Sequence, residues 1–178
     1  NKARLLVEAG KYDGVLILLQ HLPVITIGRD GGAENLLADP LRLSWRGVAV
    51  VHADRGGNIT CHSPGQLVGY PIFNLKSWRR DVHWYVDRLE EAIIRTLAGY
   101  GLKSGRKAKY TGVWLADEKI AAIGVSVRRW ITGHGFALNI DNDLTFFSAI
   151  VPCGISDFGV TSLARAGVAV APAEVASA

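Results

Sequence analysis

The sequence has no methionine and only two cysteines among its 178 residues. Two cysteines are too few for a disulfide framework, so Cys61 and Cys153 each need their own explanation. Because a complete chain begins with methionine, we expect the ends to have been trimmed. A targeting segment could have been removed with them, so a bacterial cytoplasmic location is our expectation and an organelle matrix stays open.

Long hydrophobic runs are also missing. The longest, residues 15–19, is the size of a strand, whereas a membrane helix needs about 20 apolar residues. We therefore expect no membrane association. Charged residues make up only 20% of the chain and hydrophobic residues 49%, which excludes intrinsic disorder. The length fits one domain, predicted to span residues 1–178.

Strong charge of one sign is absent as well, since the formal net charge is +4. The densest basic cluster is Lys103, Arg106, Lys107 and Lys109, and the only aromatic residue beside it is Tyr110. A surface for nucleic acid would interleave basic and aromatic residues, so no nucleic-acid partner is predicted. A solvated loop and a docking patch for an acidic partner both remain open.

Short strand-like segments dominate the pattern. Buried strands are predicted at 15–19 and 24–27, and further strands at 48–51, 67–75, 113–116, 119–127 and 136–140. Gly69 and Pro71 predict a bulge or bend in the 67–75 strand. The segments 113–116 and 119–127 form a predicted hairpin.

Helical periodicity is confined to two places. Apolar residues spaced by three and four predict a helix over 82–97, which Asp81 caps and Gly99 or Gly101 ends. A short helix is predicted at 144–150, and 164–178 is predicted to be a loose tail. The fold class is therefore α+β, a mixed sheet flanked by helices.

The stretch from Arg55 to Gln66 carries the densest group of functional side chains. Its paired glycines, Gly56 and Gly57, let the backbone approach a ligand closely, and His62 titrates near neutral pH. An ordinary turn between strands would also explain the glycines. The number of functional side chains favours a binding loop.

His134 stands beside glycine in a similar context and could play a supporting or merely structural role. His21, His52 and His83 are interpreted as structural. The cysteines and histidines show no spacing typical of metal ligands, so no metal site is predicted.

Cys153 follows a proline and precedes a glycine, which suits a rigid, accessible thiol nucleophile as well as a buried core cysteine. Cys61 is the rival nucleophile, and a disulfide between the two is a third option. Lys119 opens a strand of small apolar residues, where an ammonium could stabilise a nearby thiolate. The sequence alone favours an ordinary turn lysine after Asp117 and Glu118.

Six ordered motifs together are more specific than any one of them. They are Arg-Gly-Gly-x-x-Thr-x-His-x-Pro-Gly-Gln-Leu-Val-Gly-Tyr-Pro at 55–71, Thr-Gly-Val-Trp at 111–114, Lys-Ile-Ala-x-x-Gly at 119–124, His-Gly-Phe-Ala-Leu-Asn at 134–139, Pro-Cys-Gly at 152–154 and Val-Thr-Ser-Leu at 160–163. With these motifs the chain resembles the octanoyltransferases of lipoate biosynthesis, which share a fold with lipoate–protein ligases and the catalytic domain of biotin ligases.

The resemblance implies transfer of an octanoyl group from acyl carrier protein to a lysine of lipoyl domains. The acceptors would be 2-oxoacid dehydrogenases and the glycine-cleavage H protein. It implies Cys153 as the acyl-thioester nucleophile and Lys119 as its catalytic partner. No cofactor is implied, since phosphopantetheine enters only on the donor.

The resemblance also implies a set of substrate-binding residues: Arg55, Gly56, Gly57, Asn58, Ile59, Thr60, Cys61, His62, Ala122, Ile123, Gly124, Gly135, Phe136 and Ala137. The acyl chain is expected against Ala121, Ala122, Ile123 and Phe136. Two positions depart from the family pattern, because Cys61 replaces an aromatic residue and Ser63 replaces a glycine. Both departures bear on the fit of the acyl chain.

Three alternatives remain at this stage. An ATP-dependent lipoate–protein ligase would have the same fold but would not need the Pro-Cys-Gly motif around Cys153. A non-catalytic scaffold that binds lipoyl domains would not need Cys153 and Lys119. A Cys–His hydrolase would pair Cys153 with His62 or His134 and would transfer the acyl group to water.

Overall fold

The computed structural model describes residues 2–152 and 158–177, so Cys153 lies outside the described residues. The helices are α1 (Lys2–Glu8), α2 (Pro40–Trp45), α3 (Val82–Gly99) and α4 (Pro172–Val175). The strands are β1 (Gly14–Leu19), β2 (Val24–Ile27), β3 (Ala49–His52), β4 (Ile59–His62), β5 (Gln66–Phe73), β6 (Gly105–Lys107), β7 (Tyr110–Leu115), β8 (Glu118–Arg128), β9 (Ile131–Asn139) and β10 (Gly159–Val160). Single 3₁₀ segments cover Ala33–Asn35, Leu75–Ser77 and Leu144–Ala149.

In the described part of the chain, seven strands form a large sheet in the order β1-β5-β9-β8-β7-β6, with β10 added parallel to β8. The other pairs of this sheet are antiparallel, so the predicted mixed sheet of an α+β fold is confirmed. A second sheet of three strands has the order β3-β2-β4. In this small sheet β2 pairs in parallel with β3 and antiparallel with β4.

Two apolar cores hold the sheets in place. One lies between the large sheet and α3, where Leu67, Ile93, Leu97 and Leu138 are buried together. The other lies on one face of the small sheet, where Ile25, Ile27 and Ile59 contact α2 and the 3₁₀ segment near residue 147. The opposite face of the small sheet is therefore left to face the large sheet.

The periodicity of the long helix predicted its position well. Asp81 caps α3 by accepting a hydrogen bond from the backbone N–H of Trp84, and Gly101 follows the helix with a φ of +76°. The helix runs to Gly99, two residues beyond the predicted end. Leu89, Ile93 and Leu97 form its buried stripe.

Several predictions about single segments are wrong. Strand β1 is not fully buried, because Leu16 is 53% exposed. Strand β5 continues in register past Gly69 and Pro71 without a bulge. Its pairing with β9 ends at Gly69, so the missing N–H of Pro71 costs no hydrogen bond on that side.

The segment after residue 164 is not a loose tail. It ends in helix α4, whose Val175 is buried in the core beneath α3. Val168 and Val170 pack against the same core. The sequence does not predict this packing, because most of the segment is coil and its apolar residues therefore show no helical or strand periodicity.

The cluster Lys103, Arg106, Lys107 and Lys109 is not a free basic patch. Arg106 pairs with Glu90 and Glu91 at 3.0 Å each, and Lys107 pairs with Asp117 at 2.5 Å. These ion pairs compensate two of the four positive charges within the molecule, which favours the solvated loop over the docking patch, the two alternatives that the sequence left open. None of the helices in the described ranges is long and apolar enough to cross a bilayer.

Candidate functional site

A cavity of about 540 Å³ lies between the two sheets. The small sheet contributes β2 and β4, and the large sheet contributes β5, β8 and β9. Alternation explains this arrangement, since Ile25 and Ile27 point into the core while Thr26 and Thr60 occupy the opposite face. The core residues thus position the polar residues of the cavity.

Lys119 lines the cavity with a side chain that is almost fully buried. Its Nζ donates to the backbone carbonyl of Thr111 at 3.1 Å and lies 4.8 Å from the ring centroid of Trp114. A cation over an indole face is stabilised electrostatically. Lys119 is therefore a built-in part of the site rather than an ordinary turn lysine, which corrects what the sequence alone favoured.

A register shift places Lys119 on the cavity face. Trp114 pairs with Lys119, but the next residue back, Val113, pairs with Ala121, so β8 carries one extra residue there. In a regular strand Lys119 would share a face with Ala121, which is buried in the core under α3. The bulge instead puts Lys119 on the same side as Ala122.

Small residues form the floor of the cavity on the large sheet. Ala122 lies directly opposite Ala137, and Gly124 lies opposite Gly135. Gly124 leaves room for the loop that contains Gly56, because a Cβ at position 124 would lie 2.9 Å from the carbonyl oxygen of Gly56. The open part of the floor is therefore the Ala122–Ala137 pair, and Val68 adjoins it through its pairing with Ala137.

The loop before β4 is held rigidly over the cavity. Arg55 donates through Nη2 to the carbonyl and the hydroxyl of Thr26, at 2.7 and 2.8 Å. The N–H of Gly56 donates to the carbonyl of Val125 at 2.8 Å, and that of Gly57, at a φ of +82°, to Asp30 at 2.7 Å. These bonds tie the loop to both sheets at once.

His62 sits at the polar end of a buried chain of hydrogen bonds. Gln66 donates through Nε2 to Asn139 Oδ1 at 2.9 Å, so its Oε1 is the acceptor for His62 Nδ1 at 2.8 Å. Burial lowers the pKa of His62 to about 4, against the opposing effect of the Gln66 bond. The imidazole is therefore neutral at pH 7, and its Nε2 lone pair points toward Thr26 Oγ1 at 3.5 Å.

Two further polar pairs lie at the cavity, where His21, Tyr70 and His134 line it and Asp54 contacts His134. Of these four residues, only His134 was predicted from the sequence as part of the site. His21 Nε2 lies 2.5 Å from Tyr70 Oη, and burial lowers the pKa of His21 and raises that of Tyr70. His134 Nε2 lies 2.5 Å from Asp54, and this hydrogen bond lowers the pKa of Asp54. His21 had been assigned a structural role. Only the spacing of alternate residues in β5 could have indicated Tyr70.

His134 has a φ of +56°, in the left-handed region that non-glycine residues rarely adopt. It lies in the middle of β9 and not at a strand start, in unbroken register opposite Val125. Such backbone strain is typical of functional positions. In His134, this positive φ occurs in a residue whose side chain contacts Asp54, which lies in the loop before β4.

Cys61 does not line the cavity, unlike its neighbours Thr60 and His62, and its place among the substrate-binding residues stays a prediction. It is buried with Ile25 and Phe147 on the other face of the small sheet, and its Sγ–H donates to the carbonyl of Phe146 at 3.6 Å. Burial raises the pKa of its thiol to about 12. Because a protonated thiol is a poor nucleophile, this burial argues against Cys61 as the rival nucleophile.

Gly56, Ala121 and Phe136 also differ from expectation. Gly56 holds the loop against β8 instead of lining the cavity. Ala121 lies in the core and cannot contact an acyl chain there. The Phe136 ring packs over Gly69 and against the core under α3, so its contribution to the cavity is limited.

Most of the predicted site residues do meet at this cavity. Those that line it are Arg55, Gly57, Asn58, Ile59, Thr60, His62, Lys119, Ala122, Ile123, Gly124, His134, Gly135, Phe136 and Ala137. They come from three segments of the chain, 55–62, 119–124 and 134–137. Their roles toward a substrate remain predictions.

A small recess of about 10 Å³ adjoins the cavity at Lys119. Thr60, Ala122 and Ala137 line both spaces, and Pro152 lines the recess together with Val160. The chain on both sides of residues 153–157 thus reaches the recess. Cys153 itself lies outside the described residues.

A cavity between a mixed sheet and a small three-stranded sheet, with one buried lysine, defines a class of catalytic domain. Residues 3–178 match the family model for the lipoyl protein ligase A/B catalytic domain, and the chain belongs to this family.

Individual relatives within this family carry a more specific name. The chain is 54% identical over 162 residues to a protein of Thermoanaerobacter sp. (strain X514) named octanoyltransferase, covering 91% of this chain and 71% of that one. It is 53% identical over 171 residues to an octanoyltransferase of Chloroflexus aurantiacus, covering 94% and 77%.

Solved structures support the fold. A lipoate–protein ligase A bound with ATP superimposes with a TM-score of 0.79 at 19% identity, covering 99% of this chain and 77% of that one. The bipartite lipoate protein ligase of Thermoplasma acidophilum gives a TM-score of 0.77 at 19% identity, covering 98% and 73%. The predicted fold, the predicted family and the prediction of an enzyme are confirmed.

Proposed function

We propose that the protein transfers an octanoyl group from acyl carrier protein to a lysine of lipoyl domains, through a thioester on Cys153. Relatives that are more than half identical over most of this chain carry the name octanoyltransferase. The acceptors we propose are the lipoyl domains of 2-oxoacid dehydrogenases and the glycine-cleavage H protein.

One observation carries the proposal. The buried Lys119 shares its recess with Pro152, the residue bonded to Cys153, and Lys119, Ala122 and Ala137 line both this recess and the large cavity. An ammonium beside a cysteine favours the thiolate, which is the nucleophilic form. The cavity offers the acyl chain an apolar surface at Val68, Ala122 and Ala137. Burying each methylene group there stabilises the complex by about 0.8 kcal/mol.

In the first half-reaction, the Cys153 thiolate attacks the octanoyl carbonyl. The bond from that carbonyl to the phosphopantetheine sulfur breaks, and the Lys119 ammonium gives its proton to the departing thiol. One thioester replaces another, so the step is close to thermoneutral and needs no ATP. The N–H groups of Gly56 and Gly57 are already donated to Val125 and Asp30, so the oxyanion has to be stabilised by other donors.

In the second half-reaction, the amine of the acceptor lysine attacks the Cys153 thioester. The neutral Lys119 amine takes the proton that this nitrogen loses, and the Cys153 thiolate leaves. An amide forms and a thioester breaks, which drives the transfer forward. Lys119 then carries the ammonium again and the enzyme is ready for the next cycle.

The structurally similar lipoate–protein ligases share the fold, so the fold alone does not distinguish octanoyl transfer from ATP-dependent ligation. The test is transfer from octanoyl-acyl carrier protein to an isolated lipoyl domain without nucleotide. We expect octanoyl-lipoyl domain to accumulate with the wild type and not with Cys153→Ala. A strict need for ATP, or transfer to water in place of the lipoyl domain, would contradict the proposal.

A further inference from the structure

Helix α2 presents an apolar face to solvent that the fold does not use. Leu41 and Trp45, one turn apart on α2, are 66% and 85% exposed, and Leu37, three residues before the helix begins, is 63% exposed. Leu41 and Trp45 are about 6 Å apart along the helix axis, so they form one continuous surface. We call these three residues the α2 stripe. Contiguous exposed apolar surface is typical of interaction sites, and tryptophan is enriched at their energetic centres.

The rest of α2 is firmly anchored, so the stripe does not reflect a poorly packed helix. Leu43 is buried on the opposite side of the helix in the small-sheet core, where Val48 joins it. Asp39 caps the helix by accepting from the N–H of Leu41 at 2.8 Å. The helix is thus a rigid platform whose outer face is left unpartnered.

Two arginines flank the α2 stripe. Arg42 and Arg46 are exposed, and neither forms an ion pair with any residue of the described ranges. They differ in this from Arg106 and Lys107, whose charges are compensated inside the molecule. An apolar surface with uncompensated cations fits a partner that has an acidic surface around an apolar residue.

The stripe is connected directly to the segment that leads to Cys153. The N–H of Leu37 donates to the carbonyl of Ala149 at 2.9 Å, and the N–H of Val151 donates to the carbonyl of Asn35 at 2.8 Å. The chain next to the stripe therefore runs alongside residues 149–151. Only Pro152 separates that segment from Cys153.

We propose that the α2 stripe, with Arg42 and Arg46, is the docking surface for the acyl carrier protein that delivers the octanoyl group. This inference rests on the proposed function. Helix α2 covers the core face of the small sheet, whereas the cavity lies on the other face. A donor that carries its acyl group on a long, flexible phosphopantetheine arm suits delivery from one face of the small sheet to the other, and an acidic carrier protein complements Arg42 and Arg46.

The experiment compares two octanoyl donors. Burst acylation of the enzyme is measured by mass spectrometry with octanoyl-acyl carrier protein and with octanoyl-pantetheine, which has the same thioester but no protein. The variants are Trp45→Ser, Leu41→Ser and the pair Arg42→Glu with Arg46→Glu. Trp78→Ser, at a tryptophan that is 64% exposed elsewhere, and Arg80→Glu are the matched controls.

We expect the KM for octanoyl-acyl carrier protein to rise roughly tenfold or more in the stripe variants. The arginine variant should also lose the salt dependence of that KM. Kinetics with octanoyl-pantetheine should stay unchanged in every variant, and the controls should match the wild type. Since all substitutions lie at exposed positions, thermal unfolding is expected to remain as in the wild type.

Three results would overturn the inference. One is an unchanged KM for the carrier protein. Another is a raised KM for the lipoyl-domain acceptor with normal acylation by the carrier, which would assign the stripe to the acceptor. The third is a change from dimer to monomer in sedimentation without a change in donor kinetics, which would assign it to a second copy. If octanoyl-acyl carrier protein fails to acylate the wild type, the proposed function itself is at fault.

Discussion

Lys119 and Ala122 lie on the same face of β8 although they are three positions apart, because the strand gains one residue opposite Val113 and Trp114. Without that bulge the lysine would point into the core beneath α3. The ammonium is instead held over Trp114 and next to the recess that Pro152 lines. This relationship is the basis of the first prediction.

Replacing Lys119 with methionine keeps the length of the side chain and removes its charge. If Lys119 stabilises the Cys153 thiolate, the midpoint for alkylation of Cys153 should move to higher pH. Acylation should slow by roughly 10²- to 10⁴-fold because the departing thiol loses its proton donor. Iodoacetamide kinetics across pH measure the first effect, with Lys76→Met as an exposed control. An unmoved midpoint would remove Lys119 from the mechanism.

Ala121 and Ala122 are neighbours in sequence with opposite surroundings, so the same change should affect them differently. Ala121→Leu should destabilise the protein by about 1–3 kcal/mol, because the core beneath α3 has no room for three more carbons. Ala122→Leu should leave stability nearly unchanged and place those carbons in the cavity. Denaturant unfolding of the two variants makes the comparison.

The same Ala122→Leu substitution should change the preferred acyl chain. Octanoyl transfer should fall at least tenfold relative to hexanoyl transfer, since each methylene without space costs about 1–3 kcal/mol. Transfer assays with carrier protein loaded with either chain give this ratio. An unchanged ratio would mean that the chain does not lie along the Ala122–Ala137 floor.

His62 should make stability depend on pH. Its pKa is lowered from 6.5 to about 4 in the folded protein, so between these values the unfolded chain binds the additional proton. The contribution is fully present above pH 6.5 and is lost as pH falls toward 4, by at most roughly 3 kcal/mol. Denaturant unfolding between pH 7 and 4.5 should show a smaller loss for His62→Gln than for the wild type. His83→Gln, at an exposed histidine, should keep the wild-type slope.

Cys61 should be silent toward alkylating reagents in the folded protein. Its thiol is buried and its pKa is raised to about 12, so iodoacetamide at pH 8 should label it only after unfolding. Cys61→Ala should retain octanoyl transfer and lose roughly 1 kcal/mol of stability. Labelling of Cys61 in the native state, found by peptide mapping, would contradict the burial described above.

The elements that the sequence predicted best are those with regular periodicity. Helix α3 and the hairpin of β7 and β8 follow from spacing and capping alone. Strand β4 was hidden in a glycine-rich stretch that looks like a loop, yet all its residues are buried. Burial on both faces removes the alternation by which a strand is recognised.

The sequence predicted most residues of the site, but not the direction in which each side chain points. Cys61 was placed with its neighbours Thr60 and His62, although strand alternation turns it into the core. The bulge that turns Lys119, and the contacts of His21 with Tyr70 and of Asp54 with His134, join residues far apart in sequence. Such pairings depend on the tertiary fold, and no local pattern reports them.

The central claim is that Cys153 carries the octanoyl group. Intact-protein mass spectrometry after mixing with octanoyl-acyl carrier protein, before any acceptor is added, tests it most directly. The account predicts one octanoyl adduct that maps to Cys153, is cleaved by hydroxylamine and disappears when a lipoyl domain is added. An adduct on Lys119 or Cys61, or octanoyl transfer at the wild-type rate by Cys153→Ala, would contradict it.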